Sequence, residues 1–368
     1  MRKIGIDARF ITGARRGIGN YVYALLENIL LIDKNNQYYI YVDKDDAICN
    51  KFKSYKNVTL RVVHGNYLIW EQVYLPYYLK RDEIDVFHST GNTAPIFIPN
   101  NVKLVVTIHD VMYLVSDYRM MPKAKKIYQQ IGRIYRRLIV PIIARRATRI
   151  ITISNFSKTD IIKYICPEIS KNISVIYEAG TLTITAKQSK VSKDRYILAL
   201  GAVDPRKNTR RIIMAFNKMK EKGEKLKLLL CGIEQREGRS LIDGVSDEVV
   251  NDIEFLGYVS DDMLCDLYRN AEAFVYVSLY EGFGFPVLDA MKCETPIIAS
   301  DITSIPEIVG DAGILVNPYD VNEISMAIYK VINNKEMKYD LIKKGNKRKE
   351  LYSWYKNAKE TIQIYEEV

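Results

Sequence analysis

The 368-residue sequence predicts an α/β protein of two Rossmann-like domains, and three observations lead there. Short apolar runs rich in β-branched residues alternate with helix-like segments, the pattern of buried parallel strands and their crossovers. Several of those runs end in glycine-bearing loops that open helices. A polar stretch over residues 179–194, poor in large apolar side chains, divides the alternation into halves. With 48% hydrophobic residues at this length, two cores are favoured over one.

Residues 3–6 read as the first strand, followed by a loop over 8–20 containing Gly13, Gly17 and Gly19, then a helix over 21–32. A glycine-rich first turn is Rossmann-like, yet GARRGIGNY does not keep the G-x-G-x-x-G spacing of a dinucleotide fingerprint. That departure argues against a nucleotide-dependent dehydrogenase. Residues 37–42 form a second strand, and Asp43-Lys44-Asp45 reads as a solvated loop rather than a D-x-D metal site. Strands at 84–87 and 104–108 end at His88 and at His109-Asp110. A histidine just past the carboxyl end of a buried parallel strand stands where open α/β sheets bind ligands. A structural histidine is the competing reading, and it is preferred for His88.

From Lys123 to Arg149 the chain carries many Lys and Arg residues and no acidic one. Ile127, Ile131, Ile134, Leu138 and Ile142 recur there at three- and four-residue spacing, as in an amphipathic helix, with Pro141 bending or breaking it. Two readings stand: a surface resting on anionic lipid, or a core-packed helix with a solvated basic face. Nucleic acid is disfavoured because no reading motif accompanies the charge. Strands at 149–154 and 173–177 close the first half, with Ser154 or Asn155 placed to cap the helix between them.

The second half opens with a strand at 196–200 and runs through GAVDPRKN into a helix near Thr209. Arg206 and Lys207 beside a helix start favour a diphosphate over plain surface charge. Strands at 226–231 and 253–256 follow. A strand at 273–277 leads to Glu281, Gly282-Phe283-Gly284 and Pro286, a residue suited to a first helical turn, with Asp289 one turn in. An ordinary strand-to-helix connection explains the glycines alone. Two carboxylates eight positions apart at that edge, beside a helix N-terminus that attracts anions, point to a ligand. A strand at 296–299, a turn-rich segment from 302 and a terminal helix capped by Ser353 complete the chain.

Composition bounds the partners. With 54 Lys+Arg against 44 Asp+Glu the net charge is +10, so an anionic partner is expected. Cys49, Cys166, Cys231, Cys265 and Cys293 are scattered without C-x-x-C spacing, which fits a reducing cytoplasm better than zinc or disulfides. The N-terminus lacks a signal-peptide pattern and no apolar run reaches a membrane span, so a soluble or peripheral protein is expected.

The stretch EGFGFPVLD, Glu281 to Asp289, resembles the Glu-x7-Glu signature of retaining GT-B glycosyltransferases of family 4. Thr107-Ile108-His109-Asp110 and Arg206-Lys207 match further motifs of that family, and the resemblance spans essentially the whole chain. The chain departs from the signature in having Asp at the second acidic position, one methylene shorter. The resemblance implies two Rossmann-like domains facing across a cleft: 1–180 on the acceptor side, a linker at 181–194, and 195–350 binding the nucleotide sugar. The helix at 351–368 would return to the first domain. It further implies that Gly17 and Gly19 approach donor phosphate or acceptor and that His109 contacts the donor sugar. Arg206, Lys207 and the amides of Gly282, Phe283 and Gly284 would neutralise the diphosphate. Glu281 would hold sugar hydroxyls, Asp289 the ribose, and the Gly257-Tyr258 loop would lie near the base. Attack from the leaving-group face, with donor phosphate taking the acceptor proton, needs no metal and no other cofactor. GIDARF, RGIGNY and PRKN resemble bacterial surface-polysaccharide mannosyltransferases, which implies GDP-mannose ahead of UDP-linked sugars. The implied acceptor is a lipid-linked saccharide, such as a lipopolysaccharide precursor, met at the cytoplasmic face of the inner membrane through the basic helix 123–149. A non-catalytic membrane- or nucleic-acid-binding protein on the same fold is the alternative class; it predicts salt-sensitive binding and no transfer.

Overall fold

The computed structural model describes residues 1–13, 15, 17–115, 127–184 and 194–368. These divide into two compact units, one holding 1–115, 127–178 and 353–368, the other 179–184 and 194–352. Expectations for 123–126 and for most of the linker at 181–194 lie outside the described residues.

The first unit is built on a seven-stranded sheet. Its strands are β1 (Lys3–Asp7), β2 (Gln37–Val42), β3 (Val58–Val62), β4 (Val86–Ser89), β5 (Lys103–Thr107), β6 (Arg149–Thr152) and β7 (Ile173–Val175). They lie in the order β3-β2-β1-β4-β5-β6-β7, and every pairing is parallel. The order reverses between β1 and β4, and the carboxyl ends of strands at such a switch point are where ligands bind. Asp7 ends β1, Thr90 and Asn92 follow β4, and His109 follows β5. The edge strand β3 was not foreseen. Thr59 and Arg61 alternate with its apolar residues and every position is half-buried, so it lacks the continuous apolar run of an inner strand.

The helix Gly17–Ile32 begins four residues earlier than the sequence predicts, so Gly17 and Gly19 belong to its first turn and not to a loop. Its Tyr21, Val22, Leu25, Leu26 and Ile29 are buried. The terminal helix Trp354–Glu367 packs beside it, with Ser353 at the N-cap. A buried polar relay fixes that helix to the sheet. Tyr365 Oη meets His88 Nδ1 at 2.6 Å, His88 Nε2 meets Thr107 Oγ1 at 2.7 Å, and Tyr21 Oη lies 3.0 Å from the same Thr107 hydroxyl. Burial, with His109 nearby, lowers His88 to about 3, so its imidazole is neutral and structural. Asp43 accepts from Thr12 Oγ1 at 2.7 Å and Asp45 pairs with Lys53 at 2.8 Å, which accounts for both carboxylates of the D-x-D.

The basic helix spans Ile127–Arg146 and runs through Pro141 without breaking. Its inward face is Ile139, Val140, Ile143 and Ala144, all buried. The stripe that sequence periodicity identifies, Ile131, Ile134, Leu138 and Ile142, is exposed. Core packing therefore does not explain that stripe.

The second unit carries a six-stranded parallel sheet in the order β10-β9-β8-β11-β12-β13. Its strands are β8 (Tyr196–Leu200), β9 (Lys227–Cys231), β10 (Ile253–Gly257), β11 (Ala273–Tyr276), β12 (Ile297–Ser300) and β13 (Gly313–Val316). The helices Thr209–Lys220 and Val321–Asn333 pack together over one face, burying Phe216, Met219, Ile328 and Val331 against Leu228, Leu230 and Val275. Here too the unforeseen strand, β13, is an edge strand with partly exposed residues. Its switch point falls between β8 and β11.

Candidate active site

The loop after β8 is fixed from several sides. Gly201 N donates to Cys231 O at 2.7 Å, and Ala202 N to Thr209 Oγ1 at 3.0 Å. Asn208 takes a left-handed conformation (φ 57°), which its short polar side chain tolerates. From there its Nδ2 donates to Val277 O at 2.9 Å and Pro318 O at 2.7 Å. Leu279 N donates to Arg206 O at 2.7 Å. The short turn Pro205–Lys207 is thus bound to the segment that follows β11, and residues distant in sequence converge. Lys207 Nζ donates to Glu281 Oε1 at 2.7 Å and to Tyr276 Oη at 3.1 Å. Burial opposes the charge on each partner, and their attraction outweighs it: Lys207 is raised above an ordinary lysine and Glu281 lowered below an ordinary glutamate. Arg206, beside them, forks onto Asp204, with Nε 2.9 Å from Oδ2.

Glu281 opens the loop to the helix Phe285–Lys292, which has Pro286 in its first turn and Gly284 as N-cap. Gly284 has φ 118°, and a Cβ there would stand 2.8 Å from Ile305 Cδ1, so only glycine fits. Ser304 Oγ lies 2.9 Å from the carbonyl oxygen of Glu281 and 2.8 Å from that of Phe283, its one proton serving either, and so shapes the loop from outside. The Phe283 ring is buried edge-on against Phe285 and Tyr352.

Asp289 sits apart from this cluster. Its Oδ1 accepts from Leu182 N at 3.0 Å and its Oδ2 from Thr181 Oγ1 at 3.2 Å, while Lys292 Nζ donates to Gly180 O at 2.7 Å. Burial pushes Asp289 up to about 6. In this state both its oxygens hold the 180–182 segment.

In the first unit, His109 N donates to the Asn92 side chain at 2.7 Å. Its Nε2 lies 2.9 Å from Thr90 O, and its Nδ1 lies 3.3 Å from Glu178 Oε1. Both ring nitrogens face oxygens that only accept, so the doubly protonated ring satisfies them best. Burial works against that charge, but the Glu178 carboxylate and the Thr90 carbonyl raise His109 above an ordinary histidine. Burial raises Glu178 as well, so the pair holds its shared proton firmly.

Gly17 and Gly19 differ sharply. A Cβ on Gly19 would stand 2.4 Å from Phe10 O, whereas one on Gly17 meets nothing within 4 Å. Gly19→Ala is expected to cost about 1–3 kcal/mol, because backbone must move to relieve the overlap. Gly17→Ala is expected to change stability by less than about 0.5 kcal/mol. Urea unfolding of the two variants checks the contrast.

Sequence reasoning missed Tyr276, Ser304, Glu178 and a buried cluster at the end of β1. In that cluster Arg9 pairs with Asp7 at 3.0 Å and with Glu71, and its guanidinium lies 4.4 Å from the centre of the Tyr67 ring and 4.6 Å from that of Trp70. Glu71 also accepts from Thr93 Oγ1 at 2.7 Å. Only the position of Asp7 at a strand end could have drawn attention to it.

Two parallel-sheet units with a cationic turn, an acidic loop and a helix N-terminus gathered at one switch point define the chain as a glycosyltransferase of GT-B type. Residues 16–179 match the Glycosyltransferase Family 4 domain and residues 181–348 the Glycosyl transferases group 1 domain. O-antigen chain mannosyltransferase B of Escherichia coli is 29% identical over 298 residues, covering 77% of this chain and 75% of that protein. O-antigen chain mannosyltransferase RfbU of Salmonella typhimurium is 30% identical over 273 residues, covering 70% and 75%. Among solved structures, sucrose-phosphate synthase of Thermosynechococcus elongatus matches at TM-score 0.73 and 18% identity, covering 100% of this chain and 99% of that one. HepE of Anabaena, in complex with UDP-glucose, matches at TM-score 0.71 and 15% identity, covering 100% of both chains. The chain belongs to glycosyltransferase family 4.

Proposed function

We propose that this glycosyltransferase moves mannose from GDP-mannose to a saccharide hydroxyl on a lipid-linked glycan, with retention and without a metal, at the cytoplasmic face of the inner membrane. The observation that carries this reading is the Lys207–Glu281–Tyr276 cluster, joined by Arg206 at the foot of a glycine-capped helix. Mannosyltransferase relatives support the sugar. In the proposed reaction Arg206 and Lys207 neutralise the departing diphosphate, aided by the Gly282–Gly284 loop and the dipole of the helix it opens. As Lys207 turns to phosphate, Glu281 is released to accept from sugar hydroxyls. We assign His109 to the donor sugar, as a cation held by Glu178, and the acceptor proton to a donor phosphate oxygen. Gly17 and Gly19 are assigned to the close approach of phosphate or acceptor. Asp289 reaches a ribose only by letting go of Thr181 or Leu182.

Thermal unfolding against GDP, UDP, GDP-mannose and UDP-glucose tests the reading. A ligand at a hundred times its Kd stabilises the native state by about 2.7 kcal/mol. GDP and GDP-mannose are expected to raise the melting temperature, with Arg206→Ala losing the effect. Stabilisation by UDP ligands alone would replace the donor. No stabilisation by any of the four would remove the transferase mechanism.

A further inference from the structure

Two charged residues on one short helix grip the same stretch of backbone. Asp289 and Lys292 stand three apart in the helix Phe285–Lys292, and so side by side on its surface. Both reach residues 180–182, near the point where the chain enters the second unit. Asp289 accepts from Leu182 N and Thr181 Oγ1, while Lys292 Nζ donates to Gly180 O at 2.7 Å and to Leu182 O at 3.2 Å. The acid takes the donors of the segment and the base its acceptors. Gly180 is fitted to both: a Cβ there would stand 2.7 Å from Asp289 Oδ1 and 3.0 Å from Lys292 Cε. Backbone thus lies against the carboxylate, and Asp289 is left 5% exposed.

Any buried carboxylate needs hydrogen-bond partners, so these contacts alone are ordinary. What the helix does at its other end makes them informative. Its N-terminus opens from Gly284, in the loop that follows Glu281. Eight residues make a stiff rod of about two turns, so fixing its C-terminal half fixes the aim of its first N–H groups. A ribose hydroxyl competing for Asp289 would have to displace Thr181 or Leu182, and a buried amide left without a partner is costly. The Glu of the family signature is one methylene longer. In this packing that methylene would drive the carboxylate into the backbone at Gly180.

We propose that Asp289 and Lys292 are positioning residues. They clasp residues 180–182 and thereby hold the helix Phe285–Lys292 with its N-terminus toward the donor diphosphate, and Asp289 makes no contact with the ribose. The inference rests on the diphosphate assignment of the proposed function and deepens it. Asp at position 289 is the residue that fits the clasp, and the ribose hydroxyls are left to other groups.

Isothermal titration with GDP, UDP and their dideoxyribose analogues, which lack both sugar hydroxyls, tests it beside thermal unfolding of each variant. Wild type is expected to bind one of the two diphosphates. Asp289→Ala should weaken that binding about ten-fold or more, because donors misplaced by about 1 Å no longer meet the phosphate. The penalty for removing the ribose hydroxyls should be the same in Asp289→Ala as in wild type. Asp289→Asn keeps an acceptor for Leu182 N and should stay within about three-fold of wild type. Asp289→Glu, which restores the signature, and Gly180→Ala, which crowds the clasp from the backbone side, should each lose about ten-fold. A ribose penalty that disappears in Asp289→Ala, or tighter binding by Asp289→Glu than by wild type, would make Asp289 a ribose ligand and overturn the proposal. So would melting temperatures that fall in Asp289→Ala and Gly180→Ala with nucleotide affinity intact, the mark of a merely structural contact. Should Asp289→Ala not fold, Thr181→Val reads the same contact from the other side: binding weakened about three-fold supports the clasp, and unchanged binding overturns it. If wild type binds neither diphosphate, the diphosphate assignment fails and takes the clasp's role with it. Binding by wild type that every variant retains sinks the clasp alone.

Discussion

Lys207→Ala is expected to abolish stabilisation by nucleotide diphosphates and to lower kcat/KM by about 10²–10³, the loss seen when one preorganised donor to a developing anion is removed. Lys207 and Glu281 satisfy each other, so under the proposed reading a donor has to separate the pair. Removing the lysine leaves the carboxylate in a setting that disfavours its charge. Water still reaches 29% of the Lys207 side chain and 17% of Glu281, so the stability cost is about 1–3 kcal/mol and not the larger penalty of a sealed ion pair. Glu281→Gln makes the opposite case. It keeps the shape and frees Lys207 from its competitor, so GDP should bind at least as tightly as to wild type while transfer falls. Isothermal titration with GDP and a transfer assay on both variants check this. Equal loss of GDP affinity in the two would mean that the cluster is a structural ion pair.

The central strands of both sheets were legible because each is buried on two faces and must read as an apolar run. The edge strands β3 and β13 were not, since their half-exposed positions admit Thr59, Arg61 and Gly313. Lys207 and Glu281 were each singled out from the sequence as candidates, but their pairing was not legible there. It depends on Asn208 binding the loop after β8 to the end of β11, a long-range contact with no local pattern. Gly17 and Gly19 were read as loop residues because glycine is a poor helix former. The overlap at Phe10 O shows that close packing at the helix start by itself requires glycine at position 19, whatever else approaches it. Periodicity found the apolar stripe of the basic helix, but spacing alone cannot say whether such a stripe is packed in a core or lies exposed, as Ile131, Ile134, Leu138 and Ile142 do. Glu178 lay beyond any reading of the sequence, since nothing local marks it as the partner of His109.

That partnership makes the second large expectation. With three histidines in the chain, imidazole titration by NMR resolves each. His88 should titrate only near 3, if the fold survives to that pH, and His109 above the ordinary histidine range. Neither Glu178 oxygen has a well-aligned hydrogen bond, so the ion pair is what offsets the burial of both groups. In Glu178→Gln only the Thr90 carbonyl and the Asp110 charge are left to oppose burial, and the His109 pKa should fall from its wild-type value. The sign for stability follows from proton uptake on folding. His109 and Glu178 both have folded values above their unfolded ones, so their contribution is complete at pH below the unfolded values and is lost as pH rises through the folded values. Asp7 and Asp289, both raised to about 6, act in the same direction between about 4 and 6. Glu178→Gln should therefore unfold with a flatter dependence on the alkaline side. If the cationic ring serves the donor sugar, transfer by wild type should decline as pH rises through the His109 value. In Glu178→Gln that decline should move to lower pH, with a loss of about 10² or more at neutral pH. A shifted NMR titration with an unshifted rate profile would confine His109 to structure, because its charge would then have changed without consequence for the reaction.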